Sequence, residues 1–203
     1  INTCLHEKYT NEGKCQQCGE PCSKDVLFIR NGIPYTFEGD NPEVGFILFS
    51  GGTAYFVRDT DATLKAGNGD TANMDITLDL QGHKVKTLDL QNFPYKSVTI
   101  KNGTINDIAT SAPAVLILDS VTTGGEAWSK LFTLTVKGNC VFERQVAFHG
   151  KTQLQGGTFQ YGIDVEVGEQ ALALLADGYA FADADSDEIL NVSNVNIPDR
   201  AVK

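Results

Sequence analysis

Three short apolar–polar alternations in close succession constrain this chain more than any other feature. Between Met74 and Asp107 they run Ile76-Thr77-Leu78-Asp79-Leu80, Thr87-Leu88-Asp89-Leu90 and Val98-Thr99-Ile100-Lys101. Side chains along a strand point alternately to opposite sides, so each run buries one face. Gln81-Gly82-His83, Asn92-Phe93-Pro94 and Asn102-Gly103 mark turns around these runs without helical spacing. Strands this close, with no helix between them, predict a coiled solenoid in which successive turns stack their strands. The tetrad Leu-Asp-Leu-Gln recurs at Leu78–Gln81 and Leu88–Gln91. That repeat sets Asp79 and Asp89 at equivalent points, where they are expected to stack on neighbouring levels.

Similar signals extend in both directions. Val26–Ile29, Phe46–Phe49 and Ala54–Val57 read as strands, with Ala66–Asn73 as a soft loop. Ala114–Leu118 is apolar throughout and is expected to be buried on both sides. Thr122–Lys130, holding the only tryptophan at Trp128, reads as a loop that leaves the stack. Phe132–Val136 and Ile163–Val167 alternate cleanly, and Cys140 falls in a strand-like run as a small buried hydrophobe. Gln170–Ala176 is the one helical stretch, and Asp177–Phe181 turns back into a strand. The expected division is a Cys/His-rich segment over 1–24 and a β-helix module over 25–203. Within that module, 25–72 covers the first open end, 73–168 forms the regular coils and 169–203 closes the chain.

The first 22 residues are of another kind. Cys4-Leu5-His6, Cys15-Gln16-Gln17-Cys18-Gly19 and Cys22 place four of the five cysteines among polar residues too few to form a core. A segment this small needs a staple, either metal or disulfides. A Cys-x-x-Cys turn can aim both sulfurs at one ion, and Gly19 eases its tight geometry. Cys4, His6, Cys15 and Cys18 would complete a tetrahedral structural zinc site, with Cys22 as the alternative to His6. Four protein ligands close such a site and leave no open position for catalysis. Metal removal is expected to loosen residues 4–22 only.

Charge narrows the partners. Sixteen basic against 26 acidic residues give a net charge of −10. Such a surface repels phosphate backbones and anionic bilayers, which disfavours nucleic acid and membrane partners. No apolar run is long enough to suggest a transmembrane helix, so membrane insertion is not expected. Without a signal-peptide pattern, the chain reads as a mature piece or as a segment of something longer.

The segments ITLDLQGHKVKTLDLQ, SVTIKNGTI, LQGGTFQYGIDV and LLADGYAF together resemble right-handed parallel β-helix repeats of Gram-positive bacterial cell-surface, adhesin-like proteins. The opening CLHEKYTNEGKCQQCGEPC is similar to the short zinc-ribbon-like C-x-H…C-x-x-C-G segment that precedes such modules. The resemblance implies an all-β, single-stranded, pectate-lyase-like fold with a metal-stapled N-terminal segment. It also implies export, attachment to the cell surface and membership of a longer multi-module chain.

This superfamily holds both binding modules and polysaccharide-cleaving enzymes. For cleavage, the acids on strand-like runs are Asp79, Asp89, Asp119 and Asp164, expected to face outward, with Asp79 and Asp89 as the candidate pair. The plainer reading is a solvated acidic face. Lys101 and Arg144 are the available bases, while His83 and His149 read as corner hydrogen-bonders. For binding, Tyr95, Trp128, Tyr161 and Tyr179 lie beside turns, where flat rings can stack on sugars. Trp128 and Tyr161 lead that group, with host or microbial glycans or glycoproteins as the expected ligands. Asp183, Asp185, Asp187 and Glu188 resemble a calcium loop in outline, but lack its turn glycine and read as a solvated acidic loop. The expected function is non-catalytic, either adhesion or structural spacing, with a lyase or glycoside hydrolase as the alternative.

Overall fold

The computed structural model describes residues 4–36, 43–46, 51–66, 74–89, 96–109, 115–124, 127–128, 133–148, 151–165, 168–190 and 200–203. For 43–46, 65–66, 109, 127–128 and 168–169 only the backbone is described. Tyr95 and His149 lie outside these residues, as do Phe49 and Ala114.

In chain order the strands are β1 (Val26–Arg30), β2 (Ile33–Thr36), β3 (Glu43–Phe46), β4 (Gly52–Phe56), β5 (Thr60–Ala66), β6 (Asp75–Asp79) and β7 (Lys84–Asp89). They continue with β8 (Ser97–Ala109), β9 (Val115–Thr123), β10 (Ala127–Trp128), β11 (Thr133–Phe142), β12 (Ala147–Phe148) and β13 (Lys151–Phe159). A five-residue helix, α1 (Gly168–Leu172), precedes β14 (Phe181–Asp183) and β15 (Arg200–Val202). The fold is all-β, a parallel β-solenoid, as the alternations predict.

Each coil crosses the core on more than one face. On the first face β4, β6, β8, β9, β11 and β13 stack in parallel. Its inward files are Ile76-Val98-Leu116-Leu134 and Ala54-Leu78-Ile100-Leu118-Val136-Leu154, all of them buried. On the second face β3, β5, β7 and the later parts of β8, β9, β11 and β13 stack likewise. A third, short face pairs β10 with β12 and bridges Val146 to Ile163. Val98, Leu116, Leu134 and Thr152 share one file at intervals of 18 residues. Each buried Val, Leu or Ile contributes about 1.5–3 kcal/mol through removal from water, so the files hold the coils together.

The corner between the first two faces takes left-handed backbone at four successive levels. Gln81, Asn102, Ser120 and Gly138 occupy it with φ of 48°, 58°, 58° and 64°. β8 runs through this corner at Asn102-Gly103 and continues pairing as one 13-residue strand, where the sequence suggested a stop. Gly103 is required there by space. A Cβ on it would lie 2.4 Å from Leu80 Cβ and 2.6 Å from the His83 carbonyl oxygen. Gly103→Ala should therefore destabilise the chain by about 1–3 kcal/mol, as overpacked cores do, read as a lower urea midpoint with unchanged slope.

Both ends of the stack carry reversed strands. β1 runs antiparallel to β4, and β2 antiparallel to β1. At the other end β15 runs antiparallel to β13, and β14 antiparallel to β15. Open sheet edges invite pairing with other chains, and such strands cover them.

Several expectations change on this frame. Ala114–Leu118 is not buried on both sides, because only Leu116 and Leu118 face the core while Val115 and Ile117 sit half-buried in outward files. Trp128 does not leave the stack: its backbone pairs in parallel with Phe148. Ile163 makes a single bridge, and Asp164 and Val165 lie outside any strand. Cys140 is fully buried, as expected, and its thiol reaches the Lys137 carbonyl at 3.2 Å.

Candidate metal centre

The N-terminal segment is folded by backbone bonds around two tight turns. Thr10 and Gly13 close the first, with Thr10 N–H to the Lys14 carbonyl at 2.7 Å and Gly13 N–H to the Thr10 carbonyl at 3.0 Å. Single antiparallel bridges join Tyr9 to Cys15 and Lys14 to Pro21. The second turn is the Cys-x-x-Cys itself, where Gly19 N–H returns to the Cys15 carbonyl at 2.9 Å with φ +78° at Gly19.

These turns bring Cys4, His6, Cys15 and Cys18 together, with one ligand atom from each and all four atoms within 4.8 Å of one another. Cys4 Sγ lies 3.4 Å from Cys15 Sγ, and Cys18 Sγ lies 3.8 Å from His6 Nδ1. The four residues can hold a metal ion. Cys22 is not part of this group; its sulfur packs beside Gly13, and burial pushes its thiol pKa up. All five cysteines are free thiols in this structure.

The electrostatics suit a cation. Backbone N–H groups of Cys18, then Gln17, point at the Cys15 sulfur and outweigh its removal from water, bringing its pKa down to about 6. Cys4 accepts the His6 N–H, which favours its thiolate. Removal from water and the neighbouring Cys15 and Cys18 sulfurs outweigh that bond and push Cys4 up to about 11. Clustered sulfurs cannot all ionise cheaply without a positive charge between them, which is what a metal supplies.

The carboxylates fall differently from the sequence expectation. Asp79 and Asp89 do not stack on neighbouring levels. Asp79 lies in register with Tyr55 and Lys101 on the first face, whereas Asp89 lies in register with Lys65 and Ala109 on the second. The repeated tetrad thus marks two sides of one coil. Asp79 is also only 8% exposed, not solvated. It accepts the Gln81 N–H at 3.1 Å and the Asn102 Nδ2 at 3.2 Å, and pairs with Lys101 Nζ at 3.4 Å. One level on, Asp119 pairs with Lys137 at 3.5 Å, so one outward file reads Asp79, Lys101, Asp119, Lys137. Asp164 is exposed.

His83 serves a corner, as expected, with Nδ1 at 3.1 Å from Asp59 Oδ1. The Lys84 N–H and then His83 hold the Asp59 carboxyl below its ordinary pKa. In the acidic loop, Asp183 pairs with Arg200 at 3.2 Å and Asp187 with Lys203 at 3.0 Å. Among the expected binding aromatics, Tyr161 is 57% and Tyr179 38% exposed, and the Trp128 side chain lies outside the described residues. Sequence reasoning missed the Asp–Lys file, because its members are 18 to 22 residues apart and meet only through coil register.

No helix among the described residues is long and apolar enough to cross a membrane. No protein-family model, curated protein or solved structure matches the chain.

Proposed function

We propose that this chain is a non-catalytic, zinc-stapled module of a secreted bacterial surface protein that adheres to host or microbial glycans or glycoproteins. In this reading it is attached to the cell surface as part of a longer chain. The observation that carries adhesion is the exposed Tyr161 ring beside the turn that follows β13. A flat, half-apolar ring can stack on a sugar face at small entropic cost. Two of the four acids named for cleavage are held in ion pairs, Asp79 with Lys101 and Asp119 with Lys137, and Asp79 and Asp89 lie on different faces. Zinc is the metal that fits best. Three sulfurs and one imidazole suit its borderline-soft character, and a tetrahedron with Zn–S near 2.3 Å has sulfur–sulfur edges of roughly 3.8 Å. The Cys4–Cys15 separation of 3.4 Å is close to that edge. Bound there, zinc supplies structural cross-linking and no open coordination position.

An array of glycans and glycoproteins, followed by a check of retained ligands for cleavage, tests the reading. Intact retention is expected, with Tyr161→Ala and Trp128→Ala each weakening it about 5- to 30-fold, the effect of losing an aromatic anchor. Shortened ligand whose formation is lost in Asp79→Asn would replace adhesion with a lyase or hydrolase. Silence on every ligand would remove adhesion and leave structural spacing, which the covered ends of the stack favour.

A further inference from the structure

We propose that the metal segment is the cap of the solenoid's N-terminal end, so that metal binding by Cys4, His6, Cys15 and Cys18 also holds β1 and the first coil closed. This rests on the metal reading above. β1 is apolar on both faces: Leu27 and Phe28 join the main core, whereas Val26 and Ile29 turn the other way. The metal segment covers that second face. Tyr9 and Cys15 are buried with Val26 and Ile29 in a separate small cluster, and Cys4, Cys22 and Val57 pack around it. Cys15 and Cys4 are thus metal-ligand candidates and packing residues at once.

Three further contacts fasten the segment. Tyr9 N–H donates to the Gly32 carbonyl at 2.8 Å. Gly13, at φ +78°, lies so close that a Cβ would sit 3.0 Å from Cys22 Sγ and 3.1 Å from Val57 Cγ1. Gln81, at the corner after β6, donates through Nε2 to the carbonyls of Asn11 and Phe56, each at 2.8 Å. One amide therefore bridges the segment's first turn to the end of β4. The segment has too few apolar residues to hold this docked shape alone, so ordering by the metal and docking on β1 reinforce each other. Reciprocity follows: whatever the metal adds to docking, docking adds to metal affinity.

Hydrogen exchange on the full chain, zinc-loaded against chelated, tests the cap. Amides of Val26–Ile29 and Phe56–Val57 are expected to lose protection together with residues 8–22, while Leu134–Val136 keep theirs. Loss confined to residues 8–22 would overturn the proposal while leaving the metal reading intact. Failure of the chain to take up zinc or cobalt would overturn both. Gln81→Asn supplies an independent arm, because asparagine tolerates the left-handed corner yet is one methylene too short to bridge both carbonyls. It should lower zinc affinity about 5- to 10-fold in competition with a chromophoric chelator, and unchanged affinity would sink the coupling.

Discussion

Phe142→Ala is expected to lower the stability of the solenoid by about 3–5 kcal/mol. Phe142 is fully buried, stacks on Phe159 with ring centroids 4.9 Å apart, and meets the edge of Phe148 at 5.8 Å. Its level cannot simply collapse into the space left behind. Backbone pairing to β9 on one side and β13 on the other holds neighbouring strands at roughly 4.8 Å, whatever side chain lies between them. Most of the cavity therefore stays open and its lining loses dispersion contacts. For a chain of this length the loss corresponds to a midpoint drop of about 6–20 °C. Urea titration followed by fluorescence and by circular dichroism measures it, and agreement of the two probes checks that unfolding is cooperative. Tyr161→Ala, an exposed ring, should stay within about 0.5 kcal/mol of wild type. A change below about 1 kcal/mol in Phe142→Ala would mean that the aromatic stack does not hold these coils together.

Cys15→Ser should abolish stoichiometric metal binding, whereas Cys22→Ser should keep about one metal per chain. Cys15 is the ligand whose pKa the surrounding N–H groups bring to about 6, and serine offers no comparable anion near neutral pH. Cys22 stands outside the four-ligand group. In small zinc domains the metal contributes on the order of 10–16 kcal/mol of apparent binding free energy, so this is the largest single effect expected here. Elemental analysis gives the stoichiometry, and the visible band of the cobalt form counts thiolates. Equal metal loss in the two variants would reassign the ligand set. Acid should also release the metal, because protons compete for thiolates and imidazole. Uptake should fall as pH drops below neutrality and return on neutralisation.

The parts of the fold that depend on neighbouring residues were legible in the sequence. Ile76, Leu78, Val98 and Ile100 announce inward files by alternation alone, and the structure places all four in the core. The Cys-x-x-Cys turn with its following glycine likewise declares a ligand pair within five residues. What depends on coil register was hidden. Leu78–Gln81 and Leu88–Gln91 look like successive repeats, but paired positions of successive coils lie 17 to 25 residues apart, so Leu78-Asp79 and Leu88-Asp89 fall on two faces of one turn. Asp79 looked solvated because nothing local reveals that Lys101 and Asn102 close over it from the next level. The fourth ligand was equally ambiguous, since His6 and Cys22 are both near in sequence. In the structure His6, at a left-handed turn with φ 50°, joins the group that could hold a metal, while Cys22 packs beside Gly13.

The 18-residue interval has a consequence for how such a chain can change length. Val115 lies in register with both Ser97 and Thr133, and the same correspondence runs through Leu116, Ile117 and Leu118. Excising residues 115–132 would bring Thr133 directly onto Ser97, with Leu134 and Val136 still inward, and would set Lys137 beside Lys101 in place of Asp119. Duplication of the same block would insert a level by the same logic. Genetic gain or loss of one such block therefore alters the reach of the module in steps of roughly 4.8 Å, leaving both reversed end strands where they are. The molecule is a ruler with a fixed graduation, and its length is a heritable variable separate from its chemistry.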